Sequence, residues 1–393
     1  MYRKTYVEID EDILKKNTKE VINKYNEYKY YIGVVKNNAY HHGIKVVNSL
    51  IEGGVNYLAV SSLEEAIEIR KFNNDIPILV LEPIDLDYID DVMINKVTLT
   101  VDNLDYLKLL NGLSLSYPLN IHLKIDTGMN RLGFKEKKDL NKAVKLIKEN
   151  KNLILEGIYS HFATSGIQDI YYDQQVNTFL ELTQDINLEE IPIVHFDRSL
   201  TFVTHKKLSF VNGIRLGIIL FGFSGSRKKG KGLKARFRNI KRNIYIKHHH
   251  ISETILENDL NLQTAFKLYS NVLAVRKVTK GEVVGYNASY KVKEDGYIVT
   301  IPIGYADGVT KEFKSVAIKN KRYKIVSDAM DMIMVFTDTK LKYKDKVEIF
   351  GNTISIREVC HNLNINAYHL FNQISHRVPR IHKTKEEDLE IKY

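Results

Sequence analysis

From residue 28 onward, short β-branched or apolar runs alternate with amphipathic stretches at a spacing of roughly 20 to 35 residues, and this rhythm constrains the fold more than any other feature. Eight runs read as strands: YYIGVV from Tyr30, NYLAVS from Asn56, IPILVLEP from Ile76, KVTLTV from Lys96, LNIHLKID from Leu119, ILEGIYSH from Ile154, IPIVHF from Ile191 and FVNGIRLG from Phe210. Between them lie segments such as HGIKVVNSLIEGG, SSLEEAIEIRKFN and KKDLNKAVKLIKEN, whose apolar residues recur at helical spacing. Each strand is therefore expected to be followed by a return helix, and an α/β fold built as a (β/α)8 barrel fits better than a doubly wound sheet. In such barrels the chemistry gathers on the loops where strands end.

After about residue 263 the texture changes to strands with few long helical patterns, among them FKLYSNVLAVRKV, EVVGYNASYKV, GYIVTIPIGY, KSVAIKNKRYKIV, MIMVFTD and KVEIFGN. This predicts a second, mainly β domain, with a helix at 356–364 after Ser355. The expected divisions are 1–223 for the barrel, 224–262 for a basic insertion near the junction and 263–393 for the β domain. A chain of 393 residues can fill two such cores. Its one cysteine, Cys360, excludes an intrachain disulfide, and neither a signal-type start nor an apolar run of membrane-spanning length is found. The expectation is a soluble, cytoplasmic protein without a membrane role.

The formal net charge of +10 suggests nucleic acid until its location is considered. Between Ser224 and Leu262 there are ten Lys or Arg against three acids, so most of the excess belongs to one segment. Such a run is usually a solvated arm, and it holds few aromatics for stacking bases, so nucleic acid is not the expected partner. The triplet His248, His249 and His250 could bind a metal, but adjacent histidines in a basic loop more often do nothing, and no metal is expected.

Lys36 stands directly after the first apolar strand, where its amine would sit at the catalytic rim. It is either a strand-end surface residue or a nucleophile for a carbonyl group, which requires a neutral amine. The segment VVKNNAYHHG, Val34 to Gly43, closely resembles the pyridoxal phosphate lysine motif of alanine racemases, with Tyr40, His42 and Gly43 at the matching places. Further blocks resemble that family in order along the chain: LKIDTGMNRLGF (Leu123 to Phe134), EGIYSHFAT (Glu156 to Thr164), GIRLGIILFG (Gly213 to Gly222), GEVVGYNASY (Gly281 to Tyr290), IPIGYADG, DAMDM and the terminal RVPRI, with Tyr368 upstream.

This resemblance implies a pyridoxal phosphate-dependent racemase of a small amino acid, most simply alanine, working as a homodimer whose sites are shared across the interface. Moving a proton from one face of a Cα to the other needs an electron sink and two bases on opposite faces; the cofactor supplies the sink. By resemblance, Lys36 serves the D substrate and Tyr286 the L substrate. Tyr286 needs cationic or hydrogen-bonding neighbours to act as a base, and His161 and Arg215 are the candidates. Arg215 would face the pyridine nitrogen; a guanidinium donates there without giving up a proton, which disfavours transamination. Gly217 and Ile218 would offer backbone N–H groups to the phosphate, with hydroxyls from Ser199, Tyr40 and Tyr368. Arg131, Met330 and Asp331 would hold the substrate carboxylate, and Tyr305 would line the entrance.

Alternation in LNIHLKID puts His122, Lys124 and Asp126 on one face, with Lys124 pointing into the polar mouth near Arg131. The resemblance implies a carbamylated Lys124 that holds Arg131 bidentately; an ordinary lysine paired with an acid is the alternative. The chain departs from the family pattern at four places. Arg198 precedes Ser199 where an asparagine is usual, Asn287 and His41 replace glycines, and Ala329 stands where a cysteine is frequent. Alternative functions are a racemase of serine or another amino acid, a decarboxylase of the same fold type, a noncatalytic pyridoxal phosphate carrier, and a polyanion-binding relative using the basic arm.

Overall fold

The structure is a computed structural model that describes residues 3–164, 170–224, 240–241, 244, 259–384 and 388–391. The chain forms two compact units, one of Lys15–Ala39 and Ile44–Gln263, the other of Met1–Leu14, Tyr40–Gly43 and Thr264–Tyr393. The segment expected as a basic arm and the histidine triplet lie almost entirely outside the described residues.

The first unit is a closed parallel barrel of eight strands: β2 (Tyr30–Val34), β3 (Tyr57–Val60), β4 (Ile78–Val80), β5 (Val97–Val101), β6 (Leu119–Lys124), β7 (Leu153–Tyr159), β8 (Ile193–Arg198) and β9 (Gly213–Leu216). Each overlaps one of the eight predicted runs. Their Val, Ile and Leu content follows from burial on both faces; β3, β4 and β5 are buried throughout. Closure comes from β2 pairing with β9, Tyr30 opposite Gly213 and Gly33 opposite Leu216. Amphipathic helices such as Lys137–Glu149 cover the outside, with Leu140, Ala143, Val144 and Ile147 buried.

The second unit holds a ten-stranded sheet and a two-stranded ribbon. Its strands include β10 (Phe266–Asn271), β14 (Gly296–Ile301), β16 (Lys321–Asp328), β17 (Ile333–Thr337), β18 (Lys346–Phe350) and β19 (Arg380–Lys383). The helix expected after Ser355 is Ile356–Leu363, and the Ser355 side chain accepts from the Glu358 N–H. One strand corrects the expected division of the chain. The opening segment Tyr6–Asp10, β1, is no part of the barrel: it pairs antiparallel with β10 and parallel with β19. Val7 and Ile9 are fully buried there, so residues 1–14 group with the β domain.

Lys36 leads into an unusual turn. Asn37, Asn38, Ala39, Tyr40 and His41 all have φ between 51° and 62°, a left-handed run of five residues that are not glycine. Asparagine tolerates that region, but Ala39 and Tyr40 each carry a cost of roughly 1–2 kcal/mol there, and such strain concentrates at functional sites.

Candidate active site at the C-terminal rim of the barrel

Because the eight strands are parallel, the residues at or just after their C-terminal ends share one rim. Lys36 follows β2, Lys124 ends β6, Ser160 and His161 follow β7, Ser199 follows β8, and Gly217 and Ile218 follow β9. Arg215, on β9, is 4% exposed. One of its terminal nitrogens donates to the His195 carbonyl at 3.2 Å and to His195 Nδ1 at 2.6 Å. The other donates to the carbonyls of Ser160 (2.6 Å) and Phe196 (3.0 Å) and to His161 Nδ1 (3.2 Å). A guanidinium has donors only, so both Nδ1 atoms accept and both rings are neutral at that atom. Burial, followed by the charge of Arg215, holds His161 and His195 well below the usual histidine range. Arg198 adds to the cationic field on His161.

The segment after β6 folds back on its own strand. Phe134 N–H donates to the Lys124 carbonyl (2.9 Å), and Asp126 N–H to the Phe134 carbonyl (3.0 Å). Asp126 Oδ1 accepts from the Gly128 and Asn130 N–H groups, both at 3.0 Å. Gly133, with φ of 128°, makes the return possible, since a Cβ there would lie 2.6 Å from Asp126 N. This closure puts Lys124, Arg131, Met129, Ser160 and His161 around one small cavity. Burial first, then repulsion from Arg131 and Arg215, lowers the Lys124 pKa to about 8, with Asp102 and Glu82 opposing.

That shift has a sign. Folding disfavours the Lys124 ammonium, so an unmodified Lys124 opposes stability fully below pH 8, and the penalty disappears as pH rises toward the unfolded value. In carbon dioxide-free buffer a Lys124→Met variant is expected to melt above the parent protein at pH 7, with the difference shrinking at pH 10. A difference that does not change with pH would rule out this origin.

Ser199 is buried, and its Oγ accepts from the Gly217 N–H at 2.8 Å. The carbonyls of Gly217 and Ile218 accept from Leu220 and Phe221, which leaves a tight turn at the end of β9. Lys36 is half-buried at the same rim. The barrel thus brings together Lys36, Lys124, Arg131, His161, Ser199, Arg215, Gly217 and Ile218.

The remaining predicted residues belong to the other unit. Tyr40 and Tyr368 meet edge to face with ring centres 5.3 Å apart. Tyr286 is 76% exposed, Tyr305 51% and Met330 54%. Asp331 pairs with Arg377. Gly285, before Tyr286, has φ of 77°, and a Cβ there would meet Ser327 Oγ at 1.8 Å. Asn287 has φ of 57°, the left-handed conformation that asparagine tolerates in place of glycine. His41 is buried: it stacks on His376 at 4.5 Å, and its Nδ1 lies 3.3 Å from Arg380.

Sequence reasoning missed His195 and Glu156 as site residues and gave His122 no role. Their signal was polar side chains inside otherwise apolar barrel strands. Among the described residues no group of three or more His, Cys, Asp or Glu could hold a metal, and no helix is long and apolar enough to cross a membrane.

The alanine racemase N-terminal domain model matches residues 9–225, and the alanine racemase C-terminal domain model matches 265–382. An alanine racemase of Anoxybacillus flavithermus is 32% identical over 403 residues, covering 100% of this chain and 98% of that protein. The solved alanine racemase of Bacillus anthracis with bound L-Ala-P is 29% identical with a TM-score of 0.84, covering 100% and 98% of the two chains. A histidine racemase from Leuconostoc mesenteroides is 27% identical with a TM-score of 0.81, covering 98% and 99%. Barrel, sheet and ordered motifs agree with these matches, and the chain belongs to the alanine racemase family.

Proposed function

We propose that the protein interconverts L-alanine and D-alanine with pyridoxal 5'-phosphate as cofactor. The observation that carries this reading is the buried Arg215, whose two terminal nitrogens are held by carbonyls and imidazoles at the rim that also presents Lys36. The donor set fits the cofactor: a lysine amine for its carbonyl carbon, a guanidinium that donates without losing a proton, and Ser199 with the Gly217 turn for a phosphate. When bound, the cofactor delocalises the electron pair left on the substrate Cα.

The residues do the rest. Lys36 removes or returns the Cα proton on one face and Tyr286 on the other. Arg215 would donate to the ring nitrogen without giving up a proton, which would limit delocalisation and favour simple proton return. Lys124, as its carbamate, holds Arg131, and Arg131 with the Met330 backbone and Asp331 takes the substrate carboxylate. The depressed Lys124 pKa supports this, because carbon dioxide adds to a neutral amine. Tyr40, His161 and Tyr368 complete the cofactor contacts, and Tyr305 lines the approach.

Tyr286, Tyr305 and Met330 stand exposed, which supports a homodimer in which they serve the partner copy's Lys36. A single buried thiol, Cys360, suits a cytoplasmic setting. The likeness to a histidine racemase favours one second reading, a larger substrate. Circular dichroism of L-alanine, L-serine and L-histidine incubated with the protein and pyridoxal phosphate tests both. The alanine signal is expected to decay fastest. Faster decay of serine or histidine reassigns the substrate, and no decay of any of them overturns the racemase reading.

A further inference from the structure

A hydrogen-bonded line runs from Arg215 into the barrel. His195 Nδ1 faces Arg215 at 2.6 Å, His195 Nε2 lies 2.9 Å from His122 Nδ1, and His122 Nε2 lies 3.1 Å from Glu156 Oε2. Both imidazoles are completely buried. The proton positions follow from chemistry alone. Arg215 can only donate, so His195 Nδ1 accepts and His195 carries its proton on Nε2. That proton points at His122 Nδ1, which must then accept, so His122 is also protonated on Nε2 and donates to the Glu156 carboxylate.

The line is anchored at both ends. Glu156 also meets the Tyr57 hydroxyl (2.7 Å), the Thr98 hydroxyl (3.2 Å) and, through Oε1, the Asn120 amide (2.9 Å). These donors suit a carboxylate: burial alone would raise its pKa, but the contacts from His122, Tyr57 and Thr98 hold it below the usual range. Tyr159 stacks on His195 at 4.6 Å and prevents that ring from turning. Gly157 leaves room for His122, since a Cβ at that position would come within 2.5 Å of the ring.

We infer that Glu156, His122 and His195 form a one-directional hydrogen-bond line that fixes both imidazoles as Nε2–H tautomers, so that His195 Nδ1 always presents a lone pair to Arg215. Glu156 and His122 are thus positioning residues: they touch neither substrate nor cofactor and act through His195 on the guanidinium that faces the ring. With the opposite tautomers, His195 would present an N–H to a group that cannot accept it, and Arg215 would lose a fixed partner. This rests on the proposed racemase reading only for its effect on rate; the tautomers are a property of the barrel.

The test is nitrogen NMR of the full-length protein with labelled histidine, with and without pyridoxal phosphate. The two rings are identified by the coupling across their shared N–H···N bond. Protonated Nε2 on both rings is expected in both states; an Nδ1 proton or a doubly protonated ring at either position overturns the inference. Independently, Glu156→Gln keeps hydrogen-bonding capacity and removes the charge, and is expected to lower kcat about fivefold with KM and the cofactor Kd within twofold. A kcat within twofold of wild type, or a fall matched by lost cofactor binding, overturns the positioning role. Should that variant fail to fold, the wild-type tautomers decide. Absence of racemisation in the wild type overturns the proposed function and leaves the tautomer result standing.

Discussion

In a Lys36→Ala variant, racemisation of L-alanine is expected to fall by about 10⁴-fold or more, because one change would remove both the proposed covalent anchor for the cofactor and a proposed proton-transfer base. Tyr286→Phe is expected to be similarly impaired in both directions, since every turnover would use both bases and kcat/KM for two enantiomers of equal free energy falls together. The informative experiment mixes the two inactive proteins under conditions where subunits exchange. If each site takes Lys36 from one chain and Tyr286 from the other, half of the randomly formed dimers carry one chain of each kind. One site in such a dimer inherits both substitutions and the other neither, so activity should return to about a quarter of wild type. No recovery, despite demonstrated exchange, would mean that each chain builds its own site.

The second large effect is on stability. Arg215→Leu would leave the carbonyls of Ser160, His195 and Phe196 and the Nδ1 atoms of His161 and His195 without the donor they now share. Each buried acceptor stranded in this way costs about 1–3 kcal/mol, although some will find other donors. A loss of about 4 kcal/mol or more is expected in urea unfolding of the cofactor-free protein. Arg215→Lys, which keeps the charge but not the planar fork, should fall between the two. A loss below about 1 kcal/mol would show that the guanidinium does not hold the ends of β7 and β8 together. Because this readout needs no cofactor, it separates the structural duty of Arg215 from its chemical one.

Much of this architecture was legible in the chain. The runs from Tyr30 to Gly217 became the eight barrel strands because a strand buried on both faces must be apolar and β-branched, and that composition is visible without knowing the partners. Ser355 announced its helix because a cap is a contact between residues three apart. Lys36 and Lys124 could be placed at one rim because parallel strands bring all their C-terminal ends to the same side, whereas Ser199 and Gly217 were singled out only by the family resemblance. β1 was not legible as a member of the β domain. Its partners, β10 and β19, lie more than 250 residues away, and nothing local in YVEID distinguishes a strand of that sheet from one of the barrel.

The sequence by itself determined which segments became strands and which reactive side chains stood at their ends, since both follow from local composition and from the two-residue repeat of a strand. Only the tertiary structure decided what those side chains became chemically. Lys124 loses its ordinary basicity because folding buries it beside Arg131 and Arg215. His195 and His122 acquire defined proton positions because Arg215, 20 residues from His195, and Glu156, 34 residues from His122, close the two ends of one line. Protonation depends on distance, burial and donor direction among residues remote in the chain, and those quantities exist only once the barrel has closed.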